Sequence, residues 1–248
     1  MGSVAVTRAI RRHLPRADVY HTHYLHPRTI AEHRERFTRA HRETGRAGLP
    51  REYLGAKMLD RRLRRGAGEA WRVVTLVRDP VARTVSAFFR LFTYNHPELG
   101  PAFHADPANA ERLVELFLDP GEPEHEFTLG WWDTEMRDVF GIDVFKSPFS
   151  PAAGAARYGG ERCRVLLLRL EDLDRIGAAE LSRFLDAPGL TLAAENRTEQ
   201  EPYFPAYSRF LELLELPAAY LDRMYGSRLA RHFYTEDELA RFRARWER

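Results

Sequence analysis

Two short, unbroken apolar runs organise the rest of the chain. Val73-Val74-Thr75-Leu76-Val77 and Val165-Leu166-Leu167-Leu168 are each flanked by arginine, the pattern of strands covered on both faces. Elsewhere apolar positions return at helical spacing. Val4, Val6, Ala9, Ile10 and Leu14 predict a helix from Ser3 to about Leu14, broken by Pro15-Arg16-Ala17. Alternation over Asp18 to Leu25 predicts a short strand that places His21 and His23 on one face. Polar helices are expected over Arg28–Glu43 and Arg51–Arg65. Further helices are expected over Pro107–Leu118 and Glu124–Phe140, the latter closed by Gly141 at C′. Ile142–Phe145 reads as a short strand or edge segment and Ser147–Gly160 as loop. A helix runs to about Leu185, and the chain from Tyr203 onward is helical and aromatic-rich, ending with Glu236–Trp246. Strands separated by helices predict an α/β fold: three layers, a parallel central sheet and helices on both faces.

The junction after the first apolar run carries the first chemical signal. Asp79 offers an N-cap carboxylate, and Pro80 stands at the first helical position, where its missing N–H costs nothing. Apolar residues from Val81 through Phe88, Phe89 and Phe92 continue the helix. Arg78 is thereby placed at the carboxyl edge of the sheet, where open α/β proteins hold ligands, with Ser86 about two turns into the helix. Two uses are open: an anion held by both residues, or Arg78 paired with a carboxylate while Ser86 faces solvent.

Composition narrows the classes. At 248 residues with 44% hydrophobic content, one substantial core is expected, and residues 1–248 read as a single domain with a helical part from about 203 to 248. No repeat and no apolar run long enough to span a bilayer is present. Cys163 has no second cysteine to pair with, and no secretory signal is visible, so a cytoplasmic setting is expected. A net charge of +2 argues against a dedicated nucleic-acid binder. Arg61-Arg62-Leu63-Arg64-Arg65 is either a solvated helix end or a contact for an acidic polymer or membrane headgroups.

Arg78-Asp79-Pro80 at a strand end, with Arg83 and Ser86 following, resembles the 3′-phosphate motif of sulfotransferases that use 3′-phosphoadenosine 5′-phosphosulfate (PAPS). The resemblance implies a P-loop-like fold and assigns the 3′-phosphate to Arg78 and Ser86. Arg169-Leu170-Glu171-Asp172-Leu173 resembles a second segment of the same superfamily. Gly2-Ser3 leading into a helix resembles the tail of the loop that wraps the 5′-phosphosulfate, where backbone N–H groups and a hydroxyl face the anion. That loop normally follows a buried strand and contains a lysine. Here the sequence starts at Met1 and its only lysines are Lys57 and Lys146, so the first strand and the loop lysine are expected upstream. Tyr20–Leu25, together with Tyr203, Tyr207, Phe210, Tyr225, His232-Phe233-Tyr234 and Trp246, resembles bacterial sulfotransferase-like proteins of capsular polysaccharide synthesis. Glu201 replaces a lysine of that pattern, so that contact does not carry over.

Sulfuryl transfer to an alcohol needs a base for the acceptor's proton and donors for the leaving phosphate, and no metal. His23 is the expected base with His21 second; packing and a metal site are the competing uses of these histidines. Trp131, Trp132 and Glu135 form either a sugar platform, with Glu135 an alternative base, or part of the core. The expected co-substrate is therefore PAPS and the expected acceptor a carbohydrate or other small hydroxylated molecule. The alternatives are a non-catalytic partner in polysaccharide assembly and a nucleotide-dependent phosphotransferase, which would need a phosphate loop with lysine and Mg²⁺-binding residues.

Overall fold

A computed structural model describes residues 2–45, 50–65, 71–160, 163–193 and 198–247, without the side chains of 51 and 52. The chain divides into two compact units. The first comprises Met1–Ala31, Pro50–Arg78 and Trp132–Arg197; the second comprises Glu32–Leu49, Asp79–Trp131 and Thr198–Arg248.

The first unit holds the sheet. β1 (Trp71–Val77) pairs in parallel with β3 (Cys163–Arg169), from Trp71 opposite Cys163 to Val77 opposite Arg169. β2 (Ala155–Gly159) adds to the other side of β3, antiparallel. The order β1-β3-β2 corrects the expectation of a wholly parallel central sheet: β3 is the centre, and among the described residues β1 has one strand partner. Burial follows that position. Val165, Leu166, Leu167 and Leu168 are fully buried, whereas Val73, Val74 and Leu76 of β1 are half-buried. α1 (Gly2–His13) and α8 (Leu173–Leu185) pack on one face, where Val6, Ala9, Leu181 and Phe184 meet Leu166 and Leu168.

α3 (Arg51–Arg64) also belongs to this unit and matches its expected span. Two short elements differ from expectation. Asp18–Leu25 is irregular rather than a strand, and Ile142–Phe145 gives way to a 3₁₀ turn at Val144–Lys146. The stretch Ser147–Gly160, expected as loop, contains β2. Its five residues, Ala-Ala-Arg-Tyr-Gly, alternate too weakly to announce a strand and take that form through their ladder with β3.

The second unit is helical. α4 (Pro80–Asn95) begins as expected: Asp79 accepts from the backbone N–H of Val81 at 2.9 Å and of Ala82 at 3.4 Å, with Pro80 in the first turn. α5 (Ala110–Leu118), α6 (Pro123–Trp131), α9 (Phe204–Leu213), α10 (Ala218–Tyr225), α11 (Arg228–Phe233) and α12 (Glu236–Ala244) complete it, with most of α2 (Pro27–Thr44). Its core is aromatic: Phe88 meets Phe89, Phe92, Phe117 and Phe210 at centroid separations of 5.4–6.1 Å. The helix expected over Glu124–Phe140 is continuous in sequence but not uniform. After α6 it widens into a π-helical turn, Trp132–Arg137, before α7 (Asp138–Phe140) and Gly141, which takes the left-handed conformation at φ 73°. No helix among the described residues is long and apolar enough to cross a membrane.

Candidate functional site

The residues assigned to phosphate binding begin at the carboxyl edge of the parallel pair. Gly2, the first residue of α1, is pressed against that edge. A Cβ there would overlap Leu170 Cδ1 and stand 2.8 Å from Leu173 Cδ2 and 3.0 Å from Leu76 Cδ1. Leu76 is the penultimate residue of β1, and Leu170 follows β3 directly, so the first turn of α1 sits where both strands end. The first N–H groups of a helix have no partner within it and carry the positive end of its dipole. Ser3 lies in this turn, its carbonyl accepting from Thr7 Oγ1 at 2.8 Å.

Arg78 follows β1 at the same edge. It is half-buried, and among the described residues it makes no ion pair. Its counterpart at the end of β3 behaves differently: Arg169 is buried and donates from Nε to Asp172 at 2.8 Å, and Asp172 also accepts from Arg175 at 2.6 Å. Gly154 makes room for that carboxylate, since a Cβ on it would lie 2.5 Å from Asp172 Oδ2, and its φ of +67° suits glycine. Ser86 is in α4 of the second unit, half-buried about two turns from the cap. Arg83, the middle residue of the motif, is already engaged in that unit. It donates to Thr128 Oγ1 at 2.6 Å and to the buried carboxylate of Glu124 at 3.2 Å, which also receives Arg36 at 3.5 Å. Burial lowers the Arg83 pKa, and Glu124 works against that shift.

The histidines lie in the irregular segment of the first unit. Their rings meet edge to face with centroids 5.0 Å apart, so the two are brought together without a strand ladder. His23 is exposed and His21 half-buried. The segment is fastened on either side of the pair. On one side Arg62 donates to Asp18 at 2.6 Å and to Tyr20 Oη at 3.2 Å, and Tyr20 meets Trp71 edge-on at 6.1 Å. On the other, Glu135 Oε2 accepts from the backbone N–H of Leu25 at 2.5 Å and of His26 at 2.8 Å. No group of three or more potential metal ligands occurs among the described residues.

Trp132 is buried at 4% exposure and Glu135 at 2%, both in the π turn, while Trp131 is half-buried at the end of α6. Sequence reasoning missed what Glu135 does, although one signal was present: an acid set in the apolar stripe Trp132, Met136, Phe140. Buried acids in the second unit were missed as well. Glu122 accepts from Asn95 at 2.8 Å and faces His96 Nε2 at 3.0 Å.

Residues 124–235 are similar to the sequence family NKWYS, described as "Putative capsular polysaccharide synthesis protein". The matched stretch is less than half of the chain. It includes the π turn, β2, β3 and α8 and leaves out Gly2, Ser3, His21, His23, Arg78 and Ser86. No curated protein and no solved structure matches the chain.

Proposed function

We propose that the protein transfers a sulfuryl group from PAPS to a hydroxyl of a carbohydrate or other small acceptor, in the setting of capsular polysaccharide synthesis. The observation that carries this reading is the first turn of α1 lodged against the carboxyl ends of β1 and β3, at the edge where Arg78 follows β1. That arrangement supplies unpaired N–H groups and a guanidinium at one sheet edge, the donor set a phosphate-rich nucleotide needs. The description of the matched family supports the polysaccharide setting.

The backbone of Gly2 and Ser3 and the Ser3 hydroxyl are assigned the 5′-phosphosulfate, and Arg78 the 3′-phosphate. Ser86 enters this set through the motif resemblance alone. PAPS supplies an activated sulfuryl group whose departure leaves a phosphate. As the acceptor oxygen forms its bond to sulfur and the sulfur–phosphate oxygen bond breaks, His23, or His21 in its place, takes the hydroxyl proton. Charge on the leaving 5′-phosphate is met by the N–H groups of the first turn of α1 and the Ser3 hydroxyl, since neither lysine belongs to that turn.

Calorimetry with 3′-phosphoadenosine 5′-phosphate tests the reading. Wild-type protein should bind it, and Arg78→Ala should weaken binding about 10- to 100-fold, the worth of a hydrogen bond to a charged group. No binding by the wild type would overturn the proposal and favour a non-catalytic partner in polysaccharide assembly. Where binding holds, transfer of labelled sulfate onto glycans should fail in His23→Ala. Full activity in that variant would move the base to His21.

A further inference from the structure

Among the described residues the irregular segment that carries the histidines has no strand ladder, and on the α2 side a carboxylate fastens it. Leu25 and His26 are the last residues before α2. Their N–H groups would be orphans there, since the first N–H groups at a helix start find no partner inside it. Glu135 Oε2 takes both, at 2.5 and 2.8 Å, from a position 109 and 110 residues further along the chain. His26 completes the turn: its carbonyl accepts from Ile30 N–H at 2.9 Å, and its Nδ1 accepts from Arg28 N–H at 3.3 Å. Within the segment, Thr22 Oγ1 donates to the Tyr24 carbonyl at 2.7 Å. His23 is thus two residues from the Glu135 anchor and bracketed by a local turn.

The anchor is unusual in where it comes from. Glu135 lies within the π-helical turn, and its carboxylate is almost wholly buried. Single π turns inside α-helices are frequent at functional sites. A buried carboxylate accepting two backbone N–H groups makes charge-assisted bonds, stronger than neutral ones. Its other oxygen, Oε1, has no hydrogen-bond partner among the described residues, so Oε2 alone does the fastening.

We propose that Glu135 is a positioning residue: through Leu25 and His26 it sets the conformation of the His21–His23 segment. What the histidines then do rests on the sulfotransferase reading; that Glu135 holds them does not. The amide of glutamine can keep both bonds through its oxygen. Because Oε1 has no such partner, placing an NH₂ there breaks none of the described bonds. Glu135→Gln is therefore the rescuing variant. Glu135→Asp, one methylene shorter, withdraws the acceptor while keeping the charge, and Glu135→Ala removes it.

Hydrogen exchange at the Leu25 and His26 amides and the imidazole ¹⁵N signals of His21 and His23 read this directly. Leu181→Ala, in the aliphatic core of the same unit, controls for general loss of stability. Exchange should rise about tenfold or more in Glu135→Asp and Glu135→Ala, the loss of one to two hydrogen bonds. The imidazole signals should shift in both and remain at wild-type positions in Glu135→Gln and Leu181→Ala. Unchanged exchange and signals in Glu135→Asp, or equal shifts in Leu181→Ala, would overturn the proposal. Should Glu135→Ala fail to fold, Glu135→Asp and Glu135→Gln decide the matter alone. Binding of 3′-phosphoadenosine 5′-phosphate is measured alongside. Its absence from every protein, with the exchange pattern as expected, would sink the sulfotransferase reading and leave the anchor standing.

Discussion

The two compact units bury their polar groups against cores of different chemistry. The second buries its charges in closed sets: Arg83 and Arg36 on Glu124, Asn95 and His96 on Glu122, Tyr225 on Asp79. Around these lies an aromatic core in which Phe88 touches four other phenylalanines. The first unit is built on aliphatic residues between a small sheet and two helices, with Arg169 on Asp172 and Glu135 on two backbone N–H groups as its buried polar sets, and at its margins stand a helix start at the strand ends, Arg78, and an irregular segment with paired histidines. A guanidinium already satisfied inside the protein has little to offer a ligand. By that criterion Arg83 is engaged within the scaffold, whereas Arg78 of the same motif makes no ion pair among the described residues.

This contrast can be broken most forcefully in the cores. Phe88→Ala should cost about 3–5 kcal/mol, the range for deleting a fully buried aromatic ring, and Leu166→Ala about 2–5 kcal/mol, both read from denaturant midpoints. Equal losses would mean that the ring contacts of the second unit add nothing beyond buried area.

A smaller effect sits on His33, which is buried in the second unit against Phe37 and Phe127. Burial, aided by Arg36, holds its pKa down at about 3 against 6.5 unfolded. Folding therefore favours the neutral ring. The stability this contributes is complete above about pH 6.5 and lost as pH falls toward 3, at up to about 1.4 kcal/mol per pH unit. Urea titrations of wild type and His33→Phe between pH 7 and 4 should differ in that slope; parallel curves would refute the assignment.

Gly154→Ala comes next. It places a Cβ against Asp172 at positive φ and should cost about 1–3 kcal/mol, loosening the hold on Arg169 at the edge of the first unit. Tyr225→Phe should be the mildest. The hydroxyl donates to Asp79 at 3.1 Å, and burial raises the Tyr225 pKa, so its proton stays in place and about 1 kcal/mol is expected. A larger loss would show that Asp79 depends on Tyr225 more than on the two backbone N–H groups it caps.

What the sequence made legible is what local physics controls. The strands β1 and β3 announced themselves by apolar runs, α4 by Asp79-Pro80, and Gly141 by its place after a helix. The alternation over Asp18–Leu25 reads as a strand with His21 and His23 on one face; the strand is absent, and the two rings meet in an irregular segment. Asp18–Leu25 is held by Arg62 and Glu135, side chains distant in sequence, where a strand would have used a backbone ladder. β2 was hidden because only its pairing makes it a strand. Glu135 was misjudged for a related reason: its partners are backbone groups 109 and 110 residues away, which no composition or spacing encodes.

The wide turn at Trp132–Arg137 also constrains how this protein can change over generations. A π turn spends an extra residue per revolution, so losing any one of its six residues lets the helix close into regular α form. The flanking turns keep nearly their former register, because the wide turn had taken up the extra residue, and it is the side chains within the turn that are re-aimed. Substitutions here alter one contact at a time, whereas a change of length re-aims Glu135 together with the rest of the turn. In this stretch, residue number is under tighter constraint than residue type, so lineages should diverge in spelling here well before they diverge in length.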